Sequence, residues 1–486
     1  MILSRSSRAA LSAVCIFTLA GCVSVRPDER FGDVRSAAVE RLGPAASRVH
    51  WRLGGPEDAD ADGFVSGLLA QPLTADAAVQ VALLRSRELQ AVYEDLGVAQ
   101  ADLVHAGLLR NPDLAGFFRI PDRGPSGVNW NVGLDLWLDV FLVPLRKRIA
   151  GNDLDAALLR VTDAVLDKAT RVRVAWHRLA ADQRVVAHQL ALADFAAAAR
   201  DIAEQQFPLG HIPEIELARE RLAAEEAAIA LDQAESAARV SREELGRLLD
   251  LTDGLTPWSI AANDDPVPPG DPDVEGIVTT ALDRRLDLAL LAREVEQQRL
   301  GLELDRKWFL AKGSIGVETE RSSEGVQATG PHFSVELPIF HQHQAVYARR
   351  EALIRQAEER LASRRGAARA EVRTAAERMA LARRSLARYE RVILPERRKV
   401  GQLALAEHNA MITGYPELLA AKSAEARSAI DAARAQQDYW TARAELERAM
   451  GVRVPEHAES VAVPPAGVPS QPPPTAMPDM PGMKHP

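Results

Sequence analysis

Two very long runs of helix-forming residues constrain the fold of this 486-residue chain more than any other feature. They cover about 145–206 and 342–408 and are rich in Ala, Arg, Glu and Leu. A helix over 145–206 would be roughly 90 Å long at about 1.5 Å per residue, more than a compact globule requires. A seven-residue repeat runs through the first of them: Leu158, Val165, Val172, Leu179, Val186 and Ala193. Such a repeat predicts a helix that supercoils against a neighbour.

Two segments, at about 112–143 and 312–340, interrupt this helical pattern. In the first, apolar residues occupy every second position over Val128–Val140, and Trp137 is the exception among the polar alternates. A strand with one face in lipid and the other in water has this alternation. The alternative is a soluble hairpin packed on the helices. The length of this strand covers the roughly 9–11 residues that cross a bilayer, which favours the membrane interpretation.

The second interruption alternates in the same way over Ile315–Glu320 and His332–Ile339. Loops at Asp122–Gly127 and Ser322–Gly330 would close one β-hairpin in each segment. Four strands cannot close a barrel. In lipid, the backbone N–H and C=O groups on an unpaired strand edge would have no hydrogen-bond partner. We therefore expect several copies of the chain to combine, with the helices continuing the barrel as a tube.

The flanks of the two hairpins repeat as well, at an offset close to 200 residues. Helices over Thr74–Arg110 and Asp273–Leu310 precede the hairpins, and breaks at Gly210 and Gly414 separate each long helix from a return helix. Such self-similarity indicates a duplicated unit of helix, β-hairpin, long helix and helix. The predicted fold is thus mainly α with a small β part.

The amino terminus reads as a secretory signal. Arg5 and Arg8 precede an apolar stretch, which ends in Leu19-Ala20-Gly21-Cys22. This sequence resembles the bacterial lipobox, which implies cleavage before Cys22 and lipid on its thiol; an ordinary signal peptide is the alternative. Val23, rather than Asp, follows the cysteine, which in such lipoproteins favours the outer membrane.

Charge and motif content exclude several function classes. The net charge is −9, and removing Arg5 and Arg8 makes the mature chain more negative by two, so nucleic acid is not an expected partner. No glycine-rich phosphate loop, nucleophile elbow or zinc-protease motif is present, and we predict no enzyme activity and no cofactor. His341 and His343 could bind a metal on an extended backbone, although polar lining is the more common role of such a pair.

The carboxyl-terminal tail carries one hint of cargo. Met477, Met480 and Met483 lie close to His485, and thioethers are soft ligands that suit Cu(I). Copper or another soft metal is therefore one hypothesis for the cargo, and a low-complexity tail without a ligand is the alternative. The predicted segments are a signal peptide (1–21), a lipid-anchored extension (22–72), a first repeat (73–251), a linker (252–272), a second repeat (273–451) and a Pro- and Met-rich disordered tail (452–486).

Several motifs across about 72–451 resemble the lipoprotein branch of the TolC-like outer-membrane efflux channels. They lie at the first helix, the entry to the first strand, the end of the last strand, the second periplasmic turn and the closing helix. The matching stretches are Pro72–Thr74 with Ala77–Ala78 and Arg87–Gln90, Gly107–Pro112, Leu337–Phe340, His408–Gly414 with Leu418–Lys422, and Tyr439–Glu447 with Gly451.

The resemblance implies a homotrimer in the outer membrane, with a 12-stranded β-barrel continued by an α-helical periplasmic barrel. It further implies that the turns at Gly210 and Gly414 contact a periplasmic adaptor protein, and that an inner-membrane pump supplies the energy. Plain helix breaks without a partner are the alternative for both glycines. Only Glu417 is acidic just past the second turn, so the family's acidic ring is not carried over.

Two functions compete. The first is the passive exit duct of a tripartite efflux system for small molecules or metal ions such as copper. The second is a structural coiled-coil envelope lipoprotein without a pore. The amphipathic hairpins discriminate between them, because a brace does not require them.

Overall fold

A computed structural model describes residues 25–120, 122, 127–251, 257–262, 267–268, 270, 273–337 and 339–454. The fold is mainly helical with one small antiparallel sheet, as predicted. The helices are α1 Phe31–Leu42, α2 Pro56–Leu69, α3 Ala75–Arg85, α4 Arg87–Gly107, α5 Val143–Gln206, α6 Glu214–Leu248, α7 Val274–Arg284, α8 Leu286–Arg306, α9 Trp308–Ala311, α10 Gln344–Arg388, α11 Leu394–Asn409 and α12 Tyr415–Met450. The strands are β1 Asp113–Arg119, β2 Asn129–Trp137, β3 Ser314–Arg321 and β4 Gln327–Ser334.

The helices that lead into the hairpins are broken, which corrects the prediction of single helices over Thr74–Arg110 and Asp273–Leu310. The first breaks at buried Ser86, whose hydroxyl accepts a hydrogen bond from the Leu89 amide and so caps α4. The second breaks at Arg285 in the same extended geometry, without a side-chain cap. Both breaks keep the Ser86 and Arg285 amides bonded to the carbonyl four residues back, so the two repeats turn in the same way.

The second long helix is also not continuous. The α-helical hydrogen bonds of α10 stop at Arg388, a π-helical turn follows over Tyr389–Ile393, and α11 begins at Leu394. The physical reason is Pro395, which has no amide hydrogen and whose ring clashes with the preceding turn of a regular helix. The first long helix, α5, is one uninterrupted helix of 64 residues, or about 96 Å.

The four strands form one sheet in the order β1-β2-β3-β4, and every neighbouring pair is antiparallel. The β2–β3 pair joins the two repeats. In the described part of the chain, β1 and β4 are edge strands with no partner on their outer sides. All four strands enter or leave the helical region at the same end of the sheet.

Two strand boundaries differ from the prediction. The predicted strand over Val128–Val140 ends at Trp137, since the chain then turns into a 3-10 helix, Leu138–Leu142, that buries Asp139 and Leu142. The alternation over His332–Ile339 belongs to β4 only as far as Ser334. The predicted loop Ser322–Gly330 is shorter, because the Ser322 amide donates to the Val326 carbonyl and β4 begins at Gln327.

The amino-terminal extension contains α1 and α2, and both helices pack on the first repeat. Phe31, Trp51 and Tyr93 form an aromatic cluster with ring centroids 5.0–6.5 Å apart. Downstream of it, Leu73 and Ile260 form a short parallel bridge, and the Trp176 indole donates to the Leu73 carbonyl at 2.9 Å. The extension therefore belongs to the core.

The buried core is divided between the two repeats. The larger cluster joins α1–α4 to α5, and the smaller one joins α7, α10 and α12. None of the helices in the described ranges is apolar over enough residues to cross a lipid bilayer.

Candidate functional site: the faces of the sheet and the helical tips

One face of the sheet is apolar although it is exposed. Directly opposed residues in the register share a face, so Leu134 of β2 lies beside Leu114 of β1 and Val317 of β3. Eight apolar side chains on this face are between 38% and 80% exposed: Leu114, Phe118, Val132, Leu134, Leu136, Ile315, Val317 and Phe333. An exposed apolar surface of this extent indicates contact with lipid or with another chain.

The opposite face of the sheet is polar and acidic. It carries four carboxylates and one arginine from the strands: Asp113, Asp135, Glu318, Glu320 and Arg119. His332 lies among them, with Nε2 2.8 Å from Asp135 Oδ1 and Nδ1 3.9 Å from Glu318 Oε2. The Asn131 amide also donates to Glu318. This face therefore carries a cluster of acidic side chains around one histidine.

A glycine makes room for this polar cluster. A Cβ at Gly316 would lie 2.5 Å from the Leu134 carbonyl oxygen and 2.6 Å from His332 Cε1. Any larger residue there would displace the imidazole from Asp135. The alternation of the strands predicted that His332 and Asp135 lie on the polar face, but they are 197 residues apart and no sequence signal pairs them.

The turn between α5 and α6 contains Gly210, as predicted for a helix break. Its φ is +73°, its amide donates to the Phe207 carbonyl, and the His211 amide donates to the Gln206 carbonyl. This left-handed position suits glycine, which lacks the Cβ that crowds the carbonyl. The adjacent Leu209 is 68% exposed at the end of the helical pair.

The turn between α11 and α12 uses the same hydrogen bonds with a different residue. Here Met411 adopts the left-handed conformation (φ +57°), its amide donates to the His408 carbonyl, and the Ile412 amide donates to the Glu407 carbonyl. Gly414 instead has φ −77° and precedes α12 as its N-cap. The break near Gly414 is present, although the left-handed residue in this turn is Met411 and not the glycine.

A buried network joins the two repeats midway along the helices. Arg173 of α5 is 7% exposed and pairs with Asp76 of α3 at 3.0 Å and with Glu447 of α12 at 3.3 Å. One turn along α5, the His177 ring stacks on Trp440 with centroids 5.1 Å apart. Burial and the neighbouring Arg173 cation lower the pKa of His177 to about 3, so the ring is neutral in the folded chain.

The remaining predicted site residues divide into two groups. Cys22, Met477, Met480, Met483 and His485 lie outside the described residues. The rings of His341 and His343 meet edge to face at 4.7 Å, and His343 also stacks on Trp308 at 4.1 Å. Within the described ranges, no group of three or more His, Cys, Asp or Glu side chains is placed to hold a metal ion.

Comparison with known proteins shows which solved structures have a similar fold. No family model and no curated protein matches the sequence. Among solved structures, the CmeC outer membrane channel of Campylobacter jejuni matches with a TM-score of 0.64 and 15% identity, over 78% of this chain and 85% of that one. The outer membrane protein VceC of Vibrio cholerae matches with a TM-score of 0.62 and 14% identity, over 78% and 96%. The chain has the TolC-like fold of outer-membrane channels.

The TolC-like fold covers nearly the whole length of these channels. The MtrE outer membrane channel of Neisseria gonorrhoeae, solved in its open state, matches with a TM-score of 0.59 and 16% identity, over 77% of this chain and 88% of that one. CmeC and MtrE are outer membrane channels, and VceC is an outer membrane protein. The resemblance inferred from the sequence motifs is confirmed at the level of the fold.

Proposed function

We propose that this chain is the outer-membrane exit duct of a tripartite efflux system, through which small molecules or ions leave the cell passively. Three copies would place their sheets edge to edge as a 12-stranded barrel, and their helices would continue it as a periplasmic tunnel. The unpaired outer sides of β1 and β4 support this assembly, because an exposed strand edge is satisfied by pairing with another chain.

The observation that carries the proposal is the amphipathic sheet. Its apolar face fits lipid and its acidic face fits a water-filled conduit. A coiled-coil brace without a pore would have no use for a face that holds Asp135, Glu318 and His332 in contact. The similarity to the outer membrane channels CmeC and MtrE supports the same function.

The partners and the membrane tether belong to the same proposal. The tips around Gly210 and Gly414 would contact a periplasmic adaptor, and the exposed side chains of Leu209, Met411 and Ile412 offer apolar anchors there. An inner-membrane pump would supply the energy. Lipid on Cys22 would tether the mature chain to the outer membrane.

The proposed duct is tested by introducing an arginine on either face of the sheet and comparing the two variants. Leu134→Arg puts a cation on the apolar face, where each arginine near the bilayer centre costs roughly 2–4 kcal/mol. We expect this variant to lose membrane insertion and single-channel conductance in planar bilayers. The matched control, Glu320→Arg on the polar face, should insert and conduct with a shifted preference for anions. Equal conductance from Leu134→Arg, or no conductance by the wild-type chain in any state, would favour the brace.

The cargo is tested separately. We propose copper or another soft metal only on the strength of Met477, Met480, Met483 and His485 in the tail. A tail peptide should bind Cu(I) more tightly than the same peptide with leucine at the three methionine positions. Cells that lack the protein should be sensitive to the metal. Sensitivity to drugs alone, together with a peptide that binds no better than its control, would reject a metal cargo.

A further inference from the structure

The end of the sheet that meets the helices has an unusual surface, which we call the junction collar. It consists of the residues just before β1 and β3 and just after β2 and β4, namely 105–112, 138–150, 303–313, 335–337 and 339–350. The antiparallel register brings all of these segments to one end of the sheet. The collar therefore forms one zone along this end of the sheet.

The collar exposes large apolar side chains. Phe340 is 97% exposed, Leu337 71% and Phe141 67%. The other exposed apolar members are Leu108, Leu109, Val140, Phe309, Val335 and Ile339. Such a concentration on the surface of a polar chain requires a covering partner.

The collar is basic, in contrast to the chain as a whole. It carries nine basic and four acidic residues, whereas the whole chain has a net charge of −9. The described residues at the other end of the sheet, 119–120, 122, 127–129 and 320–327, carry two arginines and three acidic residues. The net positive charge therefore lies at the end of the sheet that meets the helices.

Ion pairs within the collar use all of its carboxylates. Asp139 pairs with Arg146, Glu303 with Arg148 and Lys307, Asp305 with Arg350, and Glu336 with Lys312. Four cations are left exposed and form no ion pair within the described ranges: Arg110, Lys147, Arg306 and Arg349. The collar thus presents uncompensated positive charge beside apolar surface.

Aromatic rings hold the basic side chains at this level. The Arg110 guanidinium lies over the Trp137 ring with its Cζ 3.7 Å from the centroid. Lys312 Nζ lies 5.9 Å from the centroid of Trp308, whose other neighbour is His343. Tryptophan with arginine and lysine is the composition that settles at the boundary between lipid chains and water.

We propose that the junction collar binds the headgroups of anionic glycerophospholipids in the adjacent membrane leaflet. The phosphate and the net negative charge match Arg110, Lys147, Arg306 and Arg349, and the acyl chains cover the exposed Phe and Leu side chains. Neighbouring copies in the proposed ring would cover the two edges of the collar, whereas a bilayer leaflet matches positive charge beside apolar surface on the side that faces outwards. This inference goes beyond the duct and rests on insertion of the sheet into a membrane.

The test uses the full chain reconstituted into phosphatidylcholine vesicles that contain trace phosphatidylglycerol or trace phosphatidylcholine, each labelled with dansyl on an acyl chain so that the headgroup is unchanged. Energy transfer from tryptophan measures which lipid gathers at the protein. We expect the wild type to enrich the anionic lipid. Removing each cation should weaken this preference by about fivefold, the effect of one basic residue near an anionic surface. The double variant Arg110→Gln/Lys147→Gln should therefore lose most of the preference for the anionic lipid. High salt should weaken this preference as well.

Two variants keep the test specific. Arg219→Gln/Arg239→Gln removes two exposed arginines of α6 and should leave the preference unchanged. Arg110→Lys/Lys147→Arg keeps the charge and should retain it. Equal enrichment of both lipids by the wild type, or an equal loss in the α6 variant, would overturn the proposal. Conductance of the collar variant is measured in parallel, so that a failure of lipid binding is distinguished from a failure of the duct.

Discussion

Met411 and Gly210 occupy equivalent places in the two helical turns but differ in the conformational strain that this place imposes. The same pair of hydrogen bonds closes both turns, and both residues have positive φ. Glycine adopts this region without strain, whereas a residue with a Cβ is strained there by about 1 kcal/mol. The sequence identified Gly210 correctly, but no residue preference identifies a methionine in this conformation. The second turn therefore holds a strained residue with a 94% exposed side chain.

Substituting Met411 separates the stability of this turn from its contacts. We expect Met411→Gly to raise the free energy of unfolding by up to about 1 kcal/mol, because the strain is removed. We expect Gly210→Ala to lower it by a similar amount. Chemical denaturation of both variants measures this. If Met411→Gly is destabilised as much as Gly210→Ala, the side chain of Met411 stabilises the turn and the strain argument is wrong. A stabilised Met411→Gly variant with impaired efflux would place the side chain in a partner contact.

His177 predicts a pH dependence whose sign follows from its neutral state. Its pKa is about 3 in the folded chain, and an unfolded histidine has a pKa of about 6.5. Between pH 3 and pH 6.5, His177 therefore binds a proton in the unfolded chain but not in the folded chain. Stability is complete above pH 6.5 and falls as the pH decreases towards 3, by about 2 kcal/mol at pH 5.

The variant His177→Phe keeps a ring against Trp440 but removes the imidazole that binds this proton in the unfolded chain. Its melting temperature should fall less than that of the wild type between pH 7 and 5. The control is the same substitution at His105, an exposed residue of α4, which should melt with the wild-type pH dependence. Parallel curves for the wild type and His177→Phe would show that the protonation of His177 is not linked to folding.

At the scale of elements, the sequence predicted the helical segments and their order better than their interruptions. The long runs and the hairpins were visible because they repeat with periods near 3.6 and 2 residues. The break at Ser86 was missed because flanking helix formers outweighed its capping hydroxyl, and the break at Arg285 has no capping side chain at all. Tertiary contacts, including the bond from Arg285 to the Ala449 carbonyl, stabilise that second turn.

The π-helical turn before Pro395 makes α11 the least anchored long element. The Leu394 amide donates to the Tyr389 carbonyl, five residues back, which releases the helix from the clash that Pro395 would cause. Beyond this point only Gly401 is buried in α11, and Val400 and Leu403 are about half exposed. A segment with an irregular start and few buried contacts opens locally at low free energy.

We expect Pro395→Ala to restore a regular helix and to slow amide exchange across residues 389–399. Hydrogen exchange followed by mass spectrometry measures this on peptides from α10 and α11. Pro144→Ala is the matched control, because Pro144 lies in the first turn of α5 and its missing amide hydrogen has no helical partner to lose. Equal exchange in the wild type and Pro395→Ala would show that this proline does not cause the irregular turn.

At the scale of the molecule, the duplication was predicted, but its asymmetry was not. The first repeat wraps α5 with α1–α4, whereas the second repeat leaves much of α10 and α11 exposed. The reason is the amino-terminal extension, whose helices α1 and α2 pack on the first repeat. Long-range pairs such as Arg173 with Glu447, 274 residues apart, also have no local signal.

The Arg173 network predicts that the two repeats unfold together. Arg173→Ala removes a buried cation between Asp76 and Glu447, and we expect a loss of about 3 kcal/mol in the free energy of unfolding. Arg178→Ala, one turn beyond on an exposed part of α5, should cost less than about 1 kcal/mol. Denaturation monitored by tryptophan fluorescence compares the two. A similar small effect of both substitutions would mean that the repeats are held together elsewhere.

The two edge strands of the sheet have a genetic consequence. β1 belongs to the first repeat and β4 to the second, so each seam in the proposed ring joins the first repeat of one chain to the second repeat of the next. One altered edge therefore opens a seam in any ring that contains it. With equal expression of both alleles, only about one in eight of the three-chain rings contains no altered chain. Mutations in β1 or β4 should therefore behave as dominant negatives, whereas loss of the whole gene should be recessive.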